Sequence, residues 1–346
     1  ALFLKLLRNP SNLELNIQYA ENTEERGKTN LAIATYRRLI LLDPKNKNKW
    51  QYNIERLLDL SRPSETIVAA VLGTRIANNA PLNPDGNGNS SDLNESIVVT
   101  LDHKRKLGDR KYQVTGQFYA DFNARNPLSD LILTALQIGP LFRTPTSWQF
   151  RPAVLFDRSS TNRRNRGFFS SSAGTLFNFI NLGSGSIRNV DMSLYYANFN
   201  NESAGKDSIV FTNSSGLQFQ GFKKSDVLSL TPNFVYNGAK GGKGTDGFRD
   251  RYYEIGLGTE YIRKISENIE IGPSFSYYYR DYTDYEPGGN TNRDDHNFNL
   301  GLQATASDII PNIVILTSYS FERNKSKLAA ETYRNHSMTI SFVKSF

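Results

Sequence analysis

The chain closes on His336-Ser-Met-Thr-Ile-Ser-Phe-Val-Lys-Ser-Phe346, and the reading of this stretch decides the reading of the rest. Side chains alternate across an extended strand. Met338, Ile340, Phe342 and Phe346 therefore fall on one side, and Ser337, Thr339, Ser341 and Ser345 on the other. An apolar face, a wet face and a final aromatic residue describe the closing strand of a membrane-spanning β-barrel. Ile340, Phe342 and Phe346 are the residues expected to be read by a barrel-assembly machinery.

The same period of two recurs upstream from Thr66. Tyr112, Val114, Phe118, Ala120 and Phe122 alternate with Gln113, Thr115, Gln117, Tyr119 and Asp121. Trp148, Phe150, Val154 and Phe156 alternate with Gln149, Arg151 and Asp157. Ile269, Ile271, Phe275, Tyr277 and Tyr279 alternate with Glu270, Ser274, Ser276 and Arg280. Fourteen strands are expected, starting near residues 66, 95, 111, 131, 147, 168, 188, 208, 226, 251, 268, 296, 312 and 336.

Connections after odd-numbered strands read as long and polar, for example 76–94, 238–250 and 281–295; those after even-numbered strands read as short. This parity is that of an outer-membrane barrel with short periplasmic turns and long outer loops. It closes only if residues 1–60 and Phe346 share the periplasmic side. A soluble barrel of this strand number encloses more volume than side chains fill.

Composition agrees. The 346 residues contain no apolar run of 18, so no helix is expected to cross a membrane. A mean hydropathy of −0.50 is compatible with alternating strands, which dilute apolar residues with polar ones. With 18 Tyr and 21 Phe, the chain has the aromatic stock for interfacial girdles. Cysteine is absent, so neither disulfides nor thiolate metal sites arise. The net charge of +7 is scattered through loops and suggests acidic lipid headgroups or an anionic solute rather than nucleic acid. A chain opening at Ala1 without a leader is expected, if exported, to be the processed form.

Residues 1–62 form a separate helical segment, and 63–346 the barrel. Apolar residues recur at three and four in Leu13, Leu15, Ile17, Tyr19 and Ala20, and again in Leu31, Ala32, Tyr36, Leu39 and Ile40. Gly27, Ala32, Tyr36, Leu39 and Pro44 stand at the spacings of a tetratricopeptide repeat, placed at about 13–46. Asn48 to Leu60 is expected to cover its open face. The segment is either a short cap or a periplasmic docking surface.

Arg151, Glu254, Glu260, Glu270 and Arg280 are expected to line the lumen, together with Tyr119, Tyr195 and Tyr278. Lumen charges set selectivity when they form rings of one sign; here the signs are mixed. Arg158, Arg163, Arg164 and Arg166, and Lys240, Lys243, Arg249 and Arg251, read as loop cations facing lipopolysaccharide phosphates or simply solvent. Asp85 to Asp92 has oxygen ligands at calcium-like spacing but lacks the later bidentate Glu, so a flexible loop is the better reading. Asp294, Asp295 and His296 are the one catalytic candidate, and no second acidic group is assigned to complete them. No enzyme activity, cofactor or metal is expected.

The order of parts resembles the Slam family, the surface lipoprotein assembly modifiers of Gram-negative outer membranes. Ala69-Ala-Val-Leu-Gly-Thr-Arg-Ile-Ala-Asn-Asn-Ala-Pro81 looks like that family's first strand and its Asn-rich exit, and Ser337–Phe346 like its closing strand. The resemblance implies a barrel that helps a protein or lipoprotein reach the cell surface, with the periplasmic helices meeting the client. Polysaccharide exporters share the order of parts, with longer repeat arrays and larger barrels. A diffusion porin with a helical appendix is the third reading.

Overall fold

The computed structural model describes residues 2–61, 64–78, 91–108, 110–125, 130–144, 148–161, 168–183, 185–199, 207–223, 225–239, 251–285 and 292–346. Four helices come first: α1 (Leu2–Arg8), α2 (Leu13–Glu25), α3 (Thr29–Leu42) and α4 (Lys47–Ser61). Asn12 caps α2 by accepting from the Leu15 N–H at 2.9 Å. Gly27, at φ +69°, turns the chain out of α2, a conformation that costs glycine little. Pro44 opens a single 3-10 turn ahead of α4.

Ala20, Ala32 and Leu39 are fully buried, and the small alanines let α2 and α3 approach closely. Tyr36 stacks on Trp50 of α4 at 6.1 Å, and Ile54 and Leu57 complete the cluster. Each such buried side chain contributes roughly 1.5–3 kcal/mol. The Tyr36 hydroxyl donates to Glu24 at 3.0 Å, and Arg56 pairs with the same carboxylate.

Fourteen antiparallel strands follow. They are β1 (Ser64–Ala77), β2 (Asp92–Leu107), β3 (Arg110–Asn123), β4 (Leu131–Arg143), β5 (Trp148–Thr161), β6 (Phe168–Asn181), β7 (Ile187–Phe199), β8 (Ser208–Gln220), β9 (Val227–Ala239), β10 (Tyr252–Lys264), β11 (Ile269–Tyr285), β12 (Asn292–Ile310), β13 (Ile313–Ser326) and β14 (Tyr333–Ser345). Each pairs with its sequence neighbour, and β1 with β14 closes the barrel. The closing ladder runs from Ala77 opposite Ser337 to Ala69 opposite Ser345. Beyond it, Val68 and Phe346 exchange main-chain hydrogen bonds.

Connections alternate as expected. The even ones are tight, such as 108–109 and 311–312, with Gly108 and Asn312 at positive φ. Both the helical segment and Phe346 lie at the short-turn end of the strands. The strands are 13 to 19 residues long, more than the ~9–11 that a bilayer requires, so they extend past it.

Cross-strand partners share a face. The outer face carries Leu72, Ile76, Ile97, Phe118, Phe156, Leu194, Ile255, Leu300, Met338 and Phe342. Ile255 is 61% exposed and Ile76 59%. A continuous apolar belt of this extent around a closed barrel is stable in lipid and not in water. Polar main-chain groups inside lipid must be paired, and the closed ladder pairs them.

Candidate functional site in the barrel lumen

Alternation turns Ser, Thr, Asn, Gln, Tyr and charged side chains inward. The register places Tyr119, Arg151, Tyr195, Glu254, Glu260, Glu270, Tyr278 and Arg280 on the inner face. They do not form one group. Arg151, 7% exposed, lies against the wall and donates to Thr115 Oγ1 at 2.9 Å and Gln137 Oε1 at 2.7 Å. Glu270 sits beside Lys264 at the short-turn rim, and Glu260 accepts from Gln303.

Tyr119, Tyr195 and Tyr278 stand on β3, β7 and β11, four strands apart, so they make no continuous track. Tyr278 lies over a glycine: an added Cβ at Gly256 would meet its Cδ1 at 2.3 Å. A ring laid across a strand glycine supplies the cover that the glycine lacks.

Charge gathers on the wall of β10–β13, toward the long-loop end. Glu254 on β10 faces Arg280 on β11, which donates Nε at 3.0 Å and Nη2 at 2.6 Å to its Oε2. The Arg280 guanidinium also lies 4.4 Å over the Tyr252 ring and donates to the Tyr282 hydroxyl at 3.3 Å. Next along the wall, Arg293 holds Asp295 through two donors, the shorter at 2.6 Å. The same guanidinium reaches Glu331 at 3.1 Å and covers the Tyr282 ring at 4.4 Å. Glu322 on β13 accepts from Asn297 at 2.9 Å and from the Tyr333 hydroxyl at 2.8 Å.

These groups border a cavity of about 450 Å³. It holds four carboxylates against two guanidiniums, a formal excess of two negative charges. Desolvating ionised groups is expensive, and here each guanidinium is forked to a carboxylate while one side of the cluster stays open to the lumen. The arrangement offers acceptors and aromatic faces to a polar or cationic solute.

Sequence reading placed Glu254 and Arg280 on the inner wall but not their neighbours. Expecting β12 to start near 296 left Arg293 in a loop. The strand begins at Asn292, and parity from Asn297 then turns both Asp295 and Arg293 inward. Parity from Ser320 likewise finds Glu322.

The catalytic candidate comes apart for the same reason. Asp295 points into the lumen, whereas Asp294 and His296 point outward, with His296 bonded to the Tyr277 hydroxyl at 2.8 Å and Asp294 to Lys327 at 2.5 Å. Lys327 lies in the connection after β13, and the Asp294 carboxylate raises its pKa above the ordinary lysine value.

Of the expected loop cations, Arg158 is a residue of β5 and faces outward beside Thr134. Arg251 donates to the Ala239 carbonyl at 2.8 Å. Arg163, Arg164, Arg166, Lys240, Lys243 and Arg249 lie outside the described residues, as does Asp85–Ser90 of the calcium-like stretch. Asp92 opens β2 and accepts from the Arg125 N–H at 2.9 Å.

No protein-family model matches the chain, and no curated relative matches it. Solved barrels do. OccAB3 of Acinetobacter baumannii aligns over 82% of this chain and 99% of its own, at 8% identity and a TM-score of 0.44. A bacterial polysaccharide outer membrane secretin aligns over 81% and 97%, at 12% identity and 0.46. The TodX monoaromatic hydrocarbon channel aligns over 82% and 89%, at 11% identity and 0.46. At these identities and scores the likeness carries no information on cargo.

Proposed function

We propose that the chain is an outer-membrane channel that passes polar solutes or glycans, with its helical segment in the periplasm. The observation that carries this reading is the division of the wall. An apolar belt faces out, and ion pairs and amides face in, bordering a polar cavity. Charges on an inner wall need water or a polar solute beside them. The reading gives Asp294, Asp295 and His296 no catalytic role and requires no cofactor.

A second reading is protein or lipoprotein translocation, as the Slam resemblance implies. It is favoured by a cleft of about 230 Å³ on the helical segment, bordered by Phe3, Leu6, Tyr19 and Leu31. Phe3 there is 52% exposed, an apolar foothold for a client.

Single-channel conductance in a planar bilayer separates the two readings. It is recorded on the whole chain and after cleavage at a protease site engineered between α4 and β1. Steady steps in both forms support the channel. A closed barrel that opens only after cleavage supports the translocator.

A further inference from the structure

The inner wall of β10–β13 carries a second cavity, of about 360 Å³, on the short-turn side of the first. Glu260, Ser274, Ser276 and Asn299 border it, and the two cavities share Tyr278. They form one oblique cleft across four strands.

Donors and acceptors are unequally spent along this cleft. Arg280 gives Nε and Nη2 to Glu254 and Nη1 to Tyr282, and Arg293 is forked to Asp295. The carboxylates are not all used. Glu322 accepts from Asn297 and Tyr333 through Oε1 alone, and Glu260 accepts from the Gln303 amide. Among the described residues neither meets a cation within ion-pair distance. Asn324, 5% exposed, also lines the first cavity. Its amide donates to the Glu331 carbonyl at 2.7 Å, and its Oδ1 has no partner among the described residues. Five carboxylates border the cleft against two guanidiniums. A solute that brings donors and positive charge completes it.

The spacing narrows the choice of solute. Glu322 stands opposite Asn299, Asn299 opposite Ser276, and Ser276 opposite Gly258, which is two residues from Glu260. Three strand spacings of ~4.8 Å and two residue rises of ~3.4 Å set the two glutamate Cα atoms about 16 Å apart along the wall. Their carboxylates point toward the barrel axis and so stand closer together. Between them the wall is neutral, so nothing there holds a cation back from either end. One compact cation does not span this distance, whereas an extended chain with an ammonium at each end does.

We propose that this cleft binds a linear polyamine, with one terminal ammonium on Glu322 and the other on Glu260. Each ammonium brings three donors to a carboxylate. Tyr278, beside the path, offers its ring to an inner ammonium. The inference rests on the channel reading for the passage of this solute, though not for its binding.

The test is isothermal titration calorimetry of the whole chain in neutral detergent micelles at low salt, with spermidine as the probe. Heat-modifiable gel migration checks that each sample is a folded barrel. Glu260→Gln and Glu322→Gln should each weaken spermidine binding about tenfold, the loss of one charge-assisted contact. Propylamine, with a single ammonium, should bind wild type at least about tenfold more weakly than spermidine, because it gains nothing from a second anchor. Asp102→Asn/Asp191→Asn removes two inward carboxylates from the far wall and should bind spermidine as wild type does. The site is overturned if wild type binds no spermidine, if either folded single variant binds it as tightly as wild type, if propylamine matches spermidine, or if the far-wall variant loses as much as the others. Conductance in a planar bilayer separates this inference from the channel reading. A steadily conducting barrel that binds no spermidine overturns the site and keeps the channel, and one that binds spermidine without conducting keeps the site and overturns the channel.

Discussion

The wall of β10–β13 and the wall that closes the barrel at β1 and β14 share one ladder and one alternation, yet their inward residues have little in common. On the first wall, Glu254 with Arg280 and Asp295 with Arg293 form forked ion pairs, Tyr252 and Tyr282 lie beneath the guanidiniums, and Glu322 accepts from Asn297 and Tyr333. On the second, Ala69, Val71, Gly73 and Ala77 face Ser345, Val343, Ser341 and Ser337, and Arg75 is the one inward charge on the described β1–β14 ladder. Forked ion pairs tie the first wall together; the second is joined mainly by its main-chain ladder, with smaller side-chain contacts such as Ser320 with Ser337 at 2.8 Å and the His336 N–H donating to Asn78 at 2.8 Å. The forked ion pairs are therefore gathered on one side of the lumen, toward the long-loop end.

The comparison breaks most visibly at glycine. A methyl at Gly256 would meet Asn233 Oδ1 at 2.1 Å and the Tyr278 ring at 2.3 Å, so Gly256→Ala must dislodge an aromatic side chain. The same change at Gly73 meets only two serine Oγ atoms at 2.8 Å, and these can rotate away. Gly256→Ala should cost about 1–3 kcal/mol and Gly73→Ala less than about 1 kcal/mol. Denaturant unfolding in micelles, followed by tryptophan fluorescence and gel migration, measures both. Equal costs would mean that the two walls are packed alike.

Glu322→Gln sharpens the comparison at single-residue scale. The carboxylate accepts from Asn297 and Tyr333, and an amide accepts more weakly while adding donors of its own. The variant should lose on the order of 1 kcal/mol. An unchanged midpoint would show that the network is ornamental to stability.

The helical segment supplies a control outside both walls. Burial and the nearby Glu24 carboxylate raise the pKa of the Tyr36 phenol above its ordinary value. A group raised in this way contributes stability that is fully present below its unfolded pKa of about 10 and is lost as pH rises beyond it. Helical ellipticity should therefore soften in alkali, and Tyr36→Phe should remove that pH dependence. An alkaline loss that persists in Tyr36→Phe would assign the effect to another group.

Much of this architecture was legible in the sequence, because a lipid face and a wet face leave a period of two that neither turns nor tilt erase. The fourteen expected strand starts fall within four residues of those observed. The largest offset, at β12, hid the most consequential residues, since Arg293 and Asp295 occupy its first turn-proximal positions. Polar residues such as Asn292, Arg293 and Asp294 read as loop when a strand runs past the bilayer and the lipid face no longer demands apolar side chains. Which inward charges would meet was illegible for a different reason. Pairing between Glu254 and Arg280, or between Glu331 and Arg293, depends on register and on the path of a connection, and alternation alone reports neither. Trp50 likewise carries no periodic signature of its role as the lid on Tyr36.

The most direct test of the central claim, a hydrated channel whose ionic preference is set by the β10–β13 wall, is the reversal potential of the reconstituted chain in a potassium chloride gradient. Wild type should conduct steadily with a modest preference for cations, since four carboxylates outnumber two guanidiniums around the cavity. Arg280→Glu/Arg293→Glu should raise the cation-to-anion permeability ratio by about tenfold at low salt. An absence of conductance, or a reversal potential that the double variant leaves unmoved, would contradict the account.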